Sequence, residues 1–193
     1  AAHSLLSSSI AAWSEAPTVL LREHYRCHPK IINFCNQKFY GGKLIVMTED
    51  HEEPDVLTMY RTAPGNHARG HLNQRQIDVI RQEVLPSLER QGYGSIGIIT
   101  PYRDQVAAIQ TQLGKELEVA TVHKFQGREK DAIILTSVDN VITEFVDDPR
   151  MLNVAVSRAV KSLTVVTSQD PQNDRTNYGD LARYIEYNNC AVI

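Results

Sequence analysis

The sequence predicts an α/β protein, a three-layer sandwich with a mostly parallel sheet between helices. Three observations carry this. The strand-like segments are apolar throughout rather than alternating, as in SIGIIT (95–100) and DAIILTSV (131–138), so both faces of each must be covered. Segments with a helical apolar stripe separate them. The chain has 193 residues, 42% of them hydrophobic, which is enough for a sizeable core without disulfide staples.

The elements follow in order. The opening AAHSLLSSSIAAWSEAP has neither the basic start nor the long apolar core of a signal peptide. No window approaches the roughly 18 unbroken apolar residues of a membrane span. With no initiator Met and no cap before Ser4, residues 1–16 read as a connector cut from an upstream domain, and 17–193 as the domain itself. TVLL (18–21) is expected as a buried strand. Pro29 suits a helix start, and Ile32, Phe34, Cys35 and Phe39 give helical spacing that ends at Gly41-Gly42. TEDHEEPD (48–55) is an exposed acidic loop, VLTMYRT (56–62) a strand and APGNHARGH (63–71) a loop.

Asn73 begins a helix, with Gln76 three residues on as in a capping box. Ile77, Ile80, Val84 and Leu88 line one face of it, up to Gly92. After the strand 95–100, Thr100 reads as a cap and Pro101 as the first helical residue, with Val106, Ile109 and Leu113 as the buried face. LEVATV (117–122), DAIILTSV (131–138) and SLTVVT (162–167) are strands. Helices are expected at 149–160 and 178–188.

The net charge is −3, so no global basic field advertises nucleic acid, and any such contact must be local. Cys27, Cys35 and Cys190 are odd in number and fit no disulfide or zinc framework. They read as reduced thiols in a cytoplasmic setting, or a nuclear one in a eukaryote. His24, Cys27, His28 and Cys35 are wrongly spaced for structural zinc, and no metal site is expected. His28 reads as a polar linchpin instead.

In parallel sheets ligands gather at the carboxyl ends of the strands. REHYRCHP (22–29), TPYRDQ (100–105) and TVHKFQGRE (121–129) each follow a strand, and RMLNVAVSRAVK (150–161) leads into the last one. All four are expected to converge on one rim. In the fourth, Arg158 reads as mid-helix. Such an arginine is either a stem on the surface with its head in water or a guanidinium delivered to a phosphate. The loop around Gly127 is either a solvated connector with a Lys130–Asp131 pairing or a site.

These four blocks carry a resemblance. LREHYRCHPKIINFCNQKFYGGKL resembles the L-x-x-Q-Y-R-M-H-P block of superfamily 1 helicases, with its trailing F-Y-x-G-x-L. IGIITPYRDQ is similar to their I-G-V-I-T-P-Y-x-x-Q block. TVHKFQGREKDAIILTSV resembles motif V of the Upf-like, superfamily 1B branch, and RMLNVAVSRAVKSLTVV resembles motif VI. The blocks stand in family order over residues 20–166. The resemblance implies the second RecA-like domain of an ATP-driven nucleic-acid translocase. Its partners would be single-stranded DNA or RNA and an upstream RecA-like domain of the same polypeptide, with no membrane.

The glycine-rich phosphate loop G-x-x-x-x-G-K-S/T is absent, which argues against a self-contained kinase or GTPase. ATP would bind with Mg²⁺ whose ligands sit mainly upstream. The alternative is a catalytically silent nucleic-acid-binding or regulatory module.

By the same resemblance, Tyr25 matches the aromatic that stacks on adenine, and Arg26 the arginine at the γ-phosphate. Arg158 matches the arginine finger, worth about 10³–10⁵ in rate in related NTPases. Glu129 matches the carboxylate on the ribose, and Gln126 and Gly127 the turn near the γ-phosphate. Thr100, Tyr102, Thr121, His123 and Lys124 are the candidates for the strand backbone. Cys27 stands for the usual Met, Ser157 for Thr, and His123-Lys124 for Asp-Ser or Asp-Ala.

Overall fold

The computed structural model describes residues 5–13, 15, 17, 19, 21–64, 68–168, 175–188 and 191–192. Helix α1 (Leu5–Ala12) comes first. The strand expected at 18–21 does not form at its described positions: Val19 and Leu21 lie in no strand and are exposed. Thr18 and Leu20 lie outside the described residues. Pairing starts two residues later, where β1 (Glu23–His24) runs parallel to β2 (Ile45–Val46) in a small separate sheet. A short apolar run carries no signal for its partner.

Helix α2 (Pro29–Phe39) lies between these strands. His28 Nδ1 accepts the Lys30 N–H at 3.1 Å, and Pro29 supplies the preset first position. The acidic stretch is more than a solvated loop. His28 Nε2 meets Glu53 at 3.2 Å and Asp50 at 3.5 Å, and Lys30 meets Asp50 at 3.4 Å.

After β3 (Leu57–Arg61), the expected loop holds an antiparallel hairpin of β4 (Ala68–Arg69) and β5 (Leu72–Asn73). Asn73 then caps α3 (Gln74–Val79), its Oδ1 accepting the Gln76 N–H at 3.2 Å. The reciprocal half of the box comes from elsewhere: the Asn73 N–H donates to Gln105 Oε1 at 2.9 Å. A π turn, Ile80–Val84, joins α3 to α4 (Leu85–Arg90), with the Leu85 N–H reaching back to the Ile80 carbonyl. Pro86 has no N–H and its ring crowds the preceding turn, and the wider coil accommodates it. The expected face of Ile77, Ile80, Val84 and Leu88 is buried.

The rest alternates as the sequence requires: β6 (Ile96–Thr100), α5 (Arg103–Leu113), β7 (Glu118–Thr121), the short α6 (Val122–Phe125) and β8 (Lys130–Thr136). Then come α7 (Pro149–Val156), β9 (Ala159–Thr167), α8 (Asn177–Tyr187) and β10 (Ala191–Val192). Two expectations need correction. Thr100 is not a cap: it still pairs with Thr121 inside the sheet, so α5 begins only after Tyr102. The helix 149–160 stops at Val156, because β9 pairing with β8 already starts at Ala159.

The main sheet runs β10-β3-β9-β8-β6-β7, and every pair in it is parallel. Both strand faces are buried, as their unbroken apolarity demands. Ile133, Leu135, Leu163 and Val165 face a core with α2, α6, α7 and α8. Ile98, Ala132, Ile134 and Val166 face a second core with α3, α4 and α5. These are the three layers. No described helix is long and apolar enough to cross a membrane.

Candidate functional site

The four clusters divide between opposite ends of the sheet rather than meeting on one rim. Glu129 immediately precedes β8 and Arg158 immediately precedes β9, and the Lys130 N–H bonds the Arg158 carbonyl at 3.1 Å. The His28 N–H bonds the Val160 carbonyl at 2.7 Å, which places the 25–28 segment at these same amino ends. Thr100 and Thr121 close the carboxyl ends of β6 and β7. A strand such as β8 is about 20 Å long at roughly 3.3 Å per residue, so the two groups stand that far apart. Sequence order misled here because α7 and residues 122–129 both run back along the sheet before the next strand begins.

At the amino ends, three separate segments converge. Arg26 Nη1 pairs with Glu129 Oε2 at 2.9 Å, and Arg26 Nη2 donates to the Ser157 carbonyl at 2.9 Å. Arg158 Nε donates to the Val154 carbonyl at 3.2 Å, and its Nη2 to Ser157 Oγ at 3.3 Å. Arg158 therefore leaves the end of α7 and caps it, instead of lying mid-helix. Burial first, then the neighbouring Arg26 cation, hold the Arg158 guanidinium below its ordinary pKa. Arg26 Nε is buried with no partner among the described residues. Two guanidiniums face one carboxylate, and the one positive charge left over suits an anion.

Tyr25 is 65% exposed beside a cleft of about 490 Å³ that Leu21, Arg22, Glu23 and Ile45 also line. Its hydroxyl donates to Glu23. Gln126 and Gly127 are exposed, and Gly127 has φ +80°, a left-handed turn only glycine adopts freely.

The charges of the loop have separate duties. Glu118 pairs with Arg128 at 2.9 Å and with Lys130 at 2.6 Å. Asp131 meets Lys161 at 3.3 Å and accepts the Gly94 N–H at 3.0 Å. The Lys130–Asp131 pairing considered from the sequence is thus replaced by links to other segments. Glu129 alone turns toward Arg26.

At the carboxyl ends, His123 and Lys124 are exposed and Thr121 is half-buried. Thr100 is fully buried and its hydroxyl has no partner among the described residues, so it does not reach a surface ligand. The Tyr102 hydroxyl donates to Asp139 at 2.7 Å. Its ring stacks on His71, centroids 4.2 Å apart and planes 8° from parallel, and on Phe145 at 5.8 Å and 23°. His71 and Phe145 carry no motif, and only the folded chain brings them to Tyr102.

Two groupings suggest a metal, and neither is built for one. His24 Nε2 accepts the Cys27 N–H at 2.9 Å, and the Cys27 thiol donates to the Ser157 carbonyl. Cys27 and Cys35 are buried free thiols, and burial raises the pKa of both. His28, Asp50 and Glu53 bring three donor atoms within 4.8 Å of one another. The Nδ1 of His28, however, accepts the helix-capping N–H, so the ring proton sits on Nε2 and points at the carboxylates. A cation there would have to displace that proton and the cap with it.

Residues 1–170 match the model of a family described as AAA domain. The chain is 30% identical over 187 residues to the 5′-3′ DNA helicase ZGRF1 of Mus musculus, covering 87% of this chain and 10% of that protein. It is 33% identical over 179 residues to the ATP-dependent helicase upf1 of Schizosaccharomyces pombe, covering 74% of this chain and 19% of that protein. It thus spans a fifth or less of these relatives. The fold matches the C-terminal domain of a possible DNA helicase from Lactobacillus plantarum WCFS1, with a TM-score of 0.53 at 19% identity over 80% of this chain and 94% of that one. The chain belongs to the AAA domain family and is a Upf1-like, superfamily 1 helicase domain.

Proposed function

We propose that this chain is the second RecA-like motor domain of an ATP-dependent helicase, residues 17–193 forming the domain and residues 1–16 its link to an upstream one. The observation that carries the proposal is the convergence of Arg26, Glu129 and Arg158 from three segments. A nucleotide phosphate fits that group: Arg26 keeps a buried donor without a partner among the described residues, and guanidiniums outnumber carboxylates two to one. ATP with Mg²⁺ would supply the phosphoryl group and the divalent charge, with the Mg²⁺ ligands mainly on the upstream domain.

The residues of this chain then bind, orient and stabilise. Tyr25 offers a ring to the adenine. Glu129 trades part of its pairing with Arg26 for the ribose. Arg26 and Arg158 stabilise the charge that grows on the transferred oxygens, an effect largest where water is excluded. Gly127 borders the same phosphates, whereas Gln126 faces the cleft that it shares with His123. Thr121, His123, Lys124 and Tyr102 hold the backbone of single-stranded DNA or RNA at the carboxyl ends. Segment 122–129 and α7 both run between the two ends, so a shift at Glu129 or Arg158 is passed to His123. The buried free thiols favour the cytoplasm, or the nucleus in a eukaryote.

Half of a nucleotide site cannot turn over alone. The isolated chain should hydrolyse ATP no faster than buffer, and the full-length protein should be stimulated by single strands. Robust turnover by the isolated chain would overturn the two-domain assignment. A full-length protein inert with either strand would point to a silent binding module.

A further inference from the structure

Beside the ring stack at the carboxyl ends lies a cleft of about 470 Å³, within the usual ~300–1,000 Å³ of small-ligand sites. Val122, His123, Gln126, Phe145, Arg150 and Met151 line it. It follows α7 and residues 122–129, the two segments that join the ends of the sheet. Phe145 belongs to both features. It ends the His71–Tyr102–Phe145 stack and is also a wall of the cleft, with 55% of it exposed.

An exposed phenylalanine on a connection between strands calls for a reason, and this one is held in place with unusual care. The chain leaves β8 through Val138 at φ +66°, a costly conformation for a β-branched residue. The Asn73 amide bonds the Val138 carbonyl at 2.8 Å, and Gln76 Oε1 accepts the Val138 N–H at 3.0 Å. The next residue, Asp139, takes the Tyr102 hydroxyl. Connection 139–148 is therefore fastened to the ring it stacks on, and Phe145 is presented rather than loose.

The chemistry of the walls selects the occupant. Val122, Met151 and Phe145 offer apolar and aromatic surface. The Arg150 guanidinium is already held by Asp148, through Nη2 at 2.8 Å and Nε at 3.2 Å, so the cleft does not offer it free to a phosphate. A flat ring with polar edges satisfies both walls: it stacks on Phe145 while His123, Gln126 and Glu144 meet its edge.

We infer that this cleft takes one base of the bound single strand, stacked on Phe145 as the fourth ring of the His71–Tyr102–Phe145 pile. The inference rests on the strand-binding reading above and deepens it: this end of the domain holds a base as well as backbone. Recognition would be by the π face, without strong base preference.

The test uses full-length protein and two probes of equal length, an oligothymidylate and an abasic strand with the same sugar–phosphate backbone. Phe145→Ala should weaken binding of the thymidylate by about 5- to 150-fold, which is about 1–3 kcal/mol at 1.4 kcal/mol per tenfold. It should leave the abasic strand unchanged, which also reports an intact fold. Phe145→Trp should keep the wild-type affinity for both. If Phe145→Ala weakens both strands equally, or neither, the base seat is wrong while strand binding stands. If wild type binds no strand at all, the strand-binding reading and the base seat fall together.

Discussion

At the amino ends of β8 and β9 the chain gathers Arg26, Glu129 and Arg158; at the carboxyl ends of β6 and β8 it stacks His71, Tyr102 and Phe145. The first group is ionic and held by ion pairs and main-chain carbonyls. The second is aromatic and held by a buried amide network. The difference follows from what each end would meet. Charge on a phosphate needs fixed opposite charge, whereas a base needs a flat face and little else. The ionic end is therefore the more sensitive to a single atom, and the aromatic end the more sensitive to its scaffold.

The contrast can be broken most easily at the ionic end. Arg26→Ala in the full-length protein should lower strand-stimulated turnover by about 10²–10³-fold, the cost of one preorganised donor. Strand affinity should change little, since Arg26 lies a strand's length from His123. Equal losses in turnover and affinity would mean that the two ends are not separate sites.

Next in size is the scaffold of the aromatic end. Gln76 is fully buried, and its Oε1 accepts from both the Thr136 hydroxyl and the Val138 N–H. Gln76→Leu orphans two buried donors at about 1–3 kcal/mol each, so the denaturation midpoint should drop clearly. An unchanged midpoint would show that Val138 holds its conformation without the clamp.

The smallest effect concerns pH. Burial first, then Arg26, hold the His24 pKa below its ordinary 6.5, and the neutral ring accepts the Cys27 N–H. Below about pH 6.5 the unfolded chain takes up a proton that the folded chain resists. Stability from this group is thus whole above pH 6.5 and is lost as pH falls through the lower folded value. His24→Gln should lose less stability between pH 8 and pH 5 than wild type. Equal losses would assign the acid sensitivity to other groups.

Much of the fold was legible because both faces of its strands are buried. Unbroken apolar runs mark β3, β6, β7, β8 and β9 whatever their partners, and the Ile77–Leu88 stripe marks its helix even through a π turn. What escaped was set by contacts distant in sequence. Nothing in TVLL says that Val19 and Leu21 lie in no strand. Nothing in TPYRDQ says that Thr100 is needed in the sheet, which delays the helix to Arg103. Arg26, Glu129 and Arg158, which the motif resemblance singled out, do come together. Their location was misread, since a motif's order in the chain does not say which end of the sheet it reaches. His71 and Phe145 were invisible, because stacked rings from a hairpin and a connection leave no common spacing.

The proposed division of labour has Arg158 act on the nucleotide while the far end of the sheet grips the strand. Its most direct test measures ATP turnover and single-strand affinity side by side in full-length wild type and Arg158→Ala. Turnover should fall by about 10³-fold or more while affinity is retained. Turnover that survives while affinity collapses would contradict it.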